Sequence, residues 1–290
     1  MENKLITLIL FALFTTVGHS SESTNKANSS MIWEITGPGI EQASYVAGTV
    51  HVMCEKDHRR DPRFAAAMEQ VDQLYLEIHL EDPSVMMSVM ITDVPLEERL
   101  SPVQYEQLKG IIGQYTDFDI SMFKNMEMFA ISAMLLMTSL ECPIVGVEED
   151  LETQAQAIDM PIKSLETLDE QVAVMRAMDP PKSGEPWSEE ELKAYGMVPE
   201  MFREMLDLYY AEDINDIHQM TIREISKVHN GAELIDVLLD ARNKNWVKKM
   251  PQIMQQNPTL FAVGAAHLGG PNGVVNLLKE AGYQLKPVKP

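Results

Sequence analysis

Two short segments of the chain share one construction: Val46-Ala47-Gly48-Thr49-Val50-His51 and Ala262-Val263-Gly264-Ala265-Ala266-His267. In each, an apolar run that reads as a strand carries a glycine three residues ahead of a histidine, which puts an imidazole at a strand terminus. Ligands of α/β proteins collect at strand ends, where loops and backbone groups converge. Between the two segments, residues 73–80 alternate, with Leu74, Leu76, Ile78 and Leu80 on one face and Tyr75, Glu77 and His79 on the other. Glu77 falls late in that expected strand, so its carboxylate can meet the two imidazoles despite the distance in sequence. Two imidazoles and one carboxylate suit a catalytic divalent metal with an open position for water. Taken singly, a GxxH histidine is more often an ordinary hydrogen-bonded or surface residue, and a strand glutamate is equally a solvated one.

The elements that must position these groups alternate in type. Residues 32–35 and 45–52 are β-prone and flank Gly37-Pro38-Gly39, which predicts a hairpin. A helix is expected over 61–71 with Pro62 in its first turn, and a long helical stretch over 96–140, whose methionines at 122–137 read as pliable core packing or a groove lining rather than metal ligands and which Pro143 closes. Short strands at 144–147 and 161–165 precede helices at 148–158 and 167–178. Residues 179–200, broken by proline and glycine, mark an excursion, and 201–250 return to amphipathic helices. Arg242 and Asn243 lie there beside an apolar stripe of Leu234, Val237, Leu238 and Trp246. That guanidinium can bind a substrate carboxylate or support an oxyanion, or it can pair on the helix surface with Asp240 or Glu233. A strand at 259–263, a glycine-rich loop at 269–273, a helix at 274–281 and a strand at 283–288 complete the pattern. The alternation favours an α/β class, with α+β as the other option.

The chain has 290 residues with 23 Lys plus Arg against 44 Asp plus Glu, a net charge of 23 − 44 = −21. Such an excess repels phosphate backbones, so nucleic acid is not an expected partner. With 45% apolar residues, the composition is that of a folded protein. Lys4, the apolar run 5–17 and Gly18-His19-Ser20 have the pattern of a signal peptide cleaved after Ser20, followed by a polar linker at 21–30. A secreted or periplasmic protein with no membrane span in its mature form is therefore expected. Cys54 and Cys142 are permitted a disulfide by count, or remain free and buried. His58, His218 and His229 fall in polar stretches and receive no role.

The paired GxxH segments, with ordered matches between them, resemble the TraB/PrgY/GumN family, which includes the TIKI metalloproteases. The matching pieces are Gly48-Thr49-Val50-His51, Tyr75-Leu76-Glu77, Gly146-Val147-Glu148 with Leu151, Ser164-Leu165-Glu166-Thr167 with Glu170-Gln171, Arg242-Asn243 with Trp246, and Val263 to Gly269. They span essentially residues 31–290. The family is similar to a wider group with erythromycin esterases and haem-binding ChaN proteins. The resemblance implies an α/β fold of two pseudo-equivalent halves, with a central mixed sheet flanked by helices. It further implies a peptidase dependent on a divalent metal such as Mn, Co or Zn. His51, His267 and Glu77 would act as ligands and catalytic groups, Arg242 as a catalytic group, and Asn243, Gly48 and Gly264 would meet a peptide or small-molecule substrate. Erythromycin esterases are similar in their His/Glu arrangement but activate water without a metal. The family's commoner acidic residue two positions past the glutamate is replaced by His79. A peptide-sequestering or haem-binding protein using the same pocket is the alternative the resemblance carries.

Overall fold

A computed structural model describes residues 29–289 except 83, 197 and 198, so the expected signal peptide at 1–20 and most of the 21–30 linker lie outside the described residues. Strands β1 (Ile32–Thr36) and β2 (Ser44–Thr49) form the expected hairpin, turned through Gly37 and Gly39 at positive φ, where side-chain-bearing residues are strained. The chain continues through β3 (Met53–Cys54) and α1 (Pro62–Met68) to β4 (Gln73–Leu76). Helices α2 (Ser84–Val89), α3 (Leu96–Arg99), α4 (Pro102–Tyr115) and α5 (Met128–Ser139) precede β5 (Ile144–Val145), α6 (Val147–Ala157), β6 (Ile162–Ser164) and α7 (Leu168–Ala177). Helices α8 (Glu189–Gly196), α9 (Pro199–Tyr210), α10 (Ile214–Ile225), α11 (Gly231–Ile235) and α12 (Ala241–Gln256) lead to β7 (Thr259–Gly264), α13 (Val274–Glu280) and β8 (Gln284–Pro287).

Six strands form one mixed sheet in the order β6-β4-β7-β2-β1-β8, flanked by helices, as the α/β expectation required. The first four of that order run parallel, and β1 and β8 pair antiparallel at the edge. The two GxxH strands β2 and β7 are direct parallel neighbours, with Gly48 opposite Val263 and Thr49 opposite Gly264. Both are buried at every position, as befits strands covered on two faces, which is why they read as near-continuous apolar runs. Phe261 and Trp246 are the largest side chains fully enclosed in this core.

The helical stretch expected over 96–140 is several pieces. Ser101 and Gln104 make a capping box that starts a new helix at Pro102, and Thr116 ends it. Helices α3 to α5 build a second core around Leu96, Leu108, Ile112 and Ile131, onto which the excursion delivers the buried Trp187. Cys54 and Cys142 form a disulfide across 88 residues, beside the separate two-stranded antiparallel sheet of β3 and β5, so the chain around this helical insertion is tied together where it leaves and returns. Its reduction is expected to cost about 2–4 kcal/mol, seen as a lower melting temperature in reductant. An unchanged melt would mean that packing alone holds the insertion. Among the described residues no helix is long and apolar enough to cross a membrane.

Candidate functional site

The carboxyl ends of the four parallel strands deliver the polar residues to one place. His51 follows β2, Glu77 is the first residue past β4, Glu166 follows β6, and His267 ends a short 3₁₀ turn after β7. The strand expected over 73–80 stops at Leu76. Glu77 lies on a bend whose carbonyl accepts from Glu166 N–H, and beyond it His79 N–H donates to Ser164 Oγ. That bend turns the Glu77 carboxylate inward, where Oε1 accepts from the backbone N–H of Gly264 at 2.7 Å.

At the centre stands Arg242. Immediately before its helix, residues Asp236–Asp240 form a π-helical turn, a widening of the ladder that recurs at functional sites. Arg242 Nη2 donates to Glu77 Oε2 at 2.5 Å, to Glu166 Oε2 at 2.9 Å and to Gln171 Oε1 at 3.0 Å. Its Nε donates to Glu166 Oε1 at 2.8 Å, and Nη1 reaches Leu238 O and His267 Nε2 at 3.3 and 3.2 Å. Glu166 also accepts from Trp246 Nε1 at 2.9 Å, and the guanidinium lies 4.8 Å over that indole. All five guanidinium N–H groups have acceptors, and the residue is buried. It therefore neither pairs with Asp240 or Glu233 on the surface nor offers a free donor to a substrate carboxylate.

His267 is equally enclosed. Asn243 Nδ2 donates to Asn272 O at 2.9 Å, which turns its Oδ1 toward His267 Nδ1 at 2.7 Å. The ring proton thus sits on Nδ1, and Nε2 keeps a lone pair toward Arg242. Burial pushes the imidazole down, to about 3, with Glu77 opposing and Arg242 adding to the shift, so the ring is neutral. Burial also works to raise Glu77, and a protonated His267 would work to lower it. Since His267 is neutral, the guanidinium is what holds the Glu77 carboxyl ionised and well below the usual carboxylate range. Asn243, expected to touch substrate, instead fixes the His267 tautomer.

His51 faces solvent. Its Nδ1 pairs with Glu148 Oε1 at 2.7 Å, and Thr49 Oγ1 donates to the same carboxylate oxygen. Protein around the ring works to lower its pKa. The Glu148 carboxylate, by charge and hydrogen bond, outweighs this with help from Glu77 and raises it toward about 9. The side chain nevertheless keeps 65% of its surface in contact with solvent, and that water screens Glu148. An open cavity of about 320 Å³ is lined here by His51, Glu77, Glu148, Glu149, Glu152 and Gln171, with Leu76 and Ile78 beneath.

Gly264 marks the point of convergence: a Cβ there would lie 3.3 Å from both Glu77 Oε1 and His51 Nε2 and 3.6 Å from His267 Cδ2. Gly48 does not share this role. A Cβ on it would meet Leu268 Cδ1 at 2.9 Å and Ala265 Cα at 3.1 Å, so its smallness serves packing of the β7 turn. The one-residue offset in register between β2 and β7 points the two glycines to opposite faces. His79 binds Glu152 Oε1 at 2.8 Å rather than joining the other two imidazoles. A second depression, of about 300 Å³, lies by Trp33, Asn215, Gly270 and Lys279, away from these groups, with Lys279 standing over the Trp33 ring.

The donor set does not fit a resident divalent cation in this arrangement. Glu77 is engaged at both oxygens, His267 at both nitrogens, and the positive centre between them is already the guanidinium. Among the described residues no three His, Cys, Asp or Glu side chains are disposed to hold a metal ion.

Of the residues that position this site, Glu148, Glu166 and Gln171 had no assigned role in the sequence. Glu148 and Glu166 follow the ends of β5 and β6 by two or three residues and Gln171 lies on α7; the short motifs Gly146-Val147-Glu148, Ser164-Leu165-Glu166 and Glu170-Gln171 were their only signal. The model of the TraB/PrgY/gumN family matches residues 31–287. No curated protein and no solved structure matches the chain.

Proposed function

The chain belongs to the TraB/PrgY/gumN family, and from the site it carries we propose a hydrolase that cleaves peptide bonds with a water activated by His51. The observation that carries this reading is the convergence of Glu77 Oε1 and His51 Nε2, each 3.3 Å from where a Cβ on Gly264 would stand, beside the open cavity that both residues line. A water there is oriented by Glu77. His51 Nε2 takes its proton as the oxygen attacks the carbonyl carbon, and the imidazolium, stabilised by Glu148, returns that proton to the leaving amine. Arg242 and His267 do not touch substrate. Arg242 holds Glu77 ionised and in place, and His267 accepts from the guanidinium behind it, both positioning tasks.

Incubation of the purified protein with a peptide library, read by mass spectrometry, tests the proposal. Cleavage by the wild type and its loss in His51→Ala is the expected result, and cleavage by neither or equally by both refutes it. Cleavage that disappears on chelation and returns with Mn, Co or Zn would replace this mechanism by a metal-dependent one. Gly264→Ala tests the geometry: its backbone φ of −51° accommodates alanine, so folding should survive. The methyl group crowds the water position, and turnover should fall roughly a hundredfold. Near-normal turnover in that variant would remove the water from this spot. We further place the protein in a secreted or periplasmic compartment, a reading supported by its Cys54–Cys142 disulfide.

A further inference from the structure

We propose that the substrate of this cavity carries a protonated amine close to the bond that reacts. The inference rests on reading the cavity as the substrate site. Four of its lining side chains are carboxylates, Glu77, Glu148, Glu149 and Glu152, and no Lys or Arg lines it. Three of the four have local partners: Arg242 behind the wall for Glu77, His51 for Glu148 and His79 for Glu152. Glu149 is exposed, and among the described residues its carboxylate has no partner. Glu149 and Glu152 are three residues apart on α6, so they present to the same side of that helix. Leu76 and Ile78 line the cavity as well and give it an apolar wall against which methylene groups can lie.

The usual anchor for an anionic substrate is absent from this arrangement. Arg242, the strongest cation nearby, has every N–H engaged by protein acceptors. A substrate carboxylate entering here would meet four like charges, and the one cation on the lining, a protonated His51, is already paired with Glu148, whereas an ammonium group gains from Glu149 and Glu152 on entry. The whole-chain charge of −21 acts in the same sense on approach. An apolar wall beside two carboxylates suits an alkylammonium group, which a peptide supplies as a lysine side chain or as its own N-terminal amine.

Four peptides of one length and otherwise one sequence test the proposal: lysine or norleucine at the central position, each with a free or an acetylated N-terminus. Binding is measured by titration calorimetry at low salt, so the readout does not require turnover. The amine-bearing peptides should bind about tenfold tighter than the acetylated norleucine peptide, and the preference should shrink in Glu149→Gln and vanish in Glu149→Gln/Glu152→Gln. If acetylation removes it, the α-amine is the recognised group, and if norleucine removes it, the side chain is. Equal binding of all four, no binding of any, or a preference that survives in the double variant overturns the proposal. An amine preference without cleavage removes the hydrolase reading and leaves this one standing, while cleavage without an amine preference does the reverse.

Discussion

Peptide hydrolysis is expected to rise along a pH limb above the ordinary histidine value of 6.5, as far as about 9, and Glu148→Gln is expected to move that limb to lower pH. The base is the neutral imidazole of His51, so rate follows the fraction deprotonated, and a raised pKa moves the limb upward. Glu148 raises it by charge and by its 2.7 Å contact with Nδ1. The amide of glutamine keeps a hydrogen-bonding group and loses the charge, so His51 titrates earlier. A Glu148 that merely supported the fold would lower the rate at all pH values and leave the limb in place. His51→Ala should remove roughly a thousandfold of the rate. Because the folded pKa is raised, the ion pair stabilises the fold below pH 6.5, and that contribution is lost as pH rises toward 9. Solvent contact at His51 keeps this stability effect small, which separates it from the kinetic one.

Arg242→Met should be the most destabilising change in the site, by about 3–5 kcal/mol, with activity lost alongside. It leaves Glu77 and Glu166 buried without their cation. Thermal melts check this directly, and a double variant with Glu77→Gln checks the cause. Removing the second charge should recover part of the loss, and strict additivity would show that the two groups are not coupled. The sign with pH also follows. The depressed Glu77 carboxyl contributes stability that is present above its ordinary value of 4.5 and lost as pH falls toward about 2. The neutral His267 works in the same direction, since its lowered pKa leaves stability to be lost below pH 6.5 as the unfolded chain takes up a proton. Seen from sequence alone, a site at strand ends should cost little stability when mutated. Glu77 and His267 are each 5% exposed, so Glu77→Gln and His267→Ala are expected to lower the melting temperature as well. His51, in contact with solvent, is the one of the three whose replacement by alanine should leave the melting temperature nearly unchanged.

His51, Glu77 and His267 stand out because glycine followed by histidine at a strand end, and a glutamate on the polar side of an alternating run, are local patterns. The roles of Arg242 and Asn243 were not legible. Their helix shows an apolar stripe, and nothing in that stripe tells whether a guanidinium beside it faces water or a buried carboxylate. Its partners Glu77 and Glu166 lie 165 and 76 residues away. The π-helical turn at Asp236–Asp240 leaves no mark in the periodicity, because it displaces the ladder by a single residue.

Local chemistry in the sequence determined which segments become strands, where imidazoles and carboxylates fall along them, and the acidic character of the whole surface. Period-two alternation, glycine punctuation and net charge are properties of neighbours in the chain, and they survive without a partner. Tertiary structure alone decided that β2 and β7 lie side by side in parallel, that their register offset gives Gly264 and not Gly48 to the site, and that Cys54 meets Cys142. It also decided that a guanidinium holds the centre, with His267 neutral behind it and His51 at the open side. The physical reason is that these features depend on burial and on pairings across long stretches of chain, where desolvation and a facing charge set what each ionisable group can do.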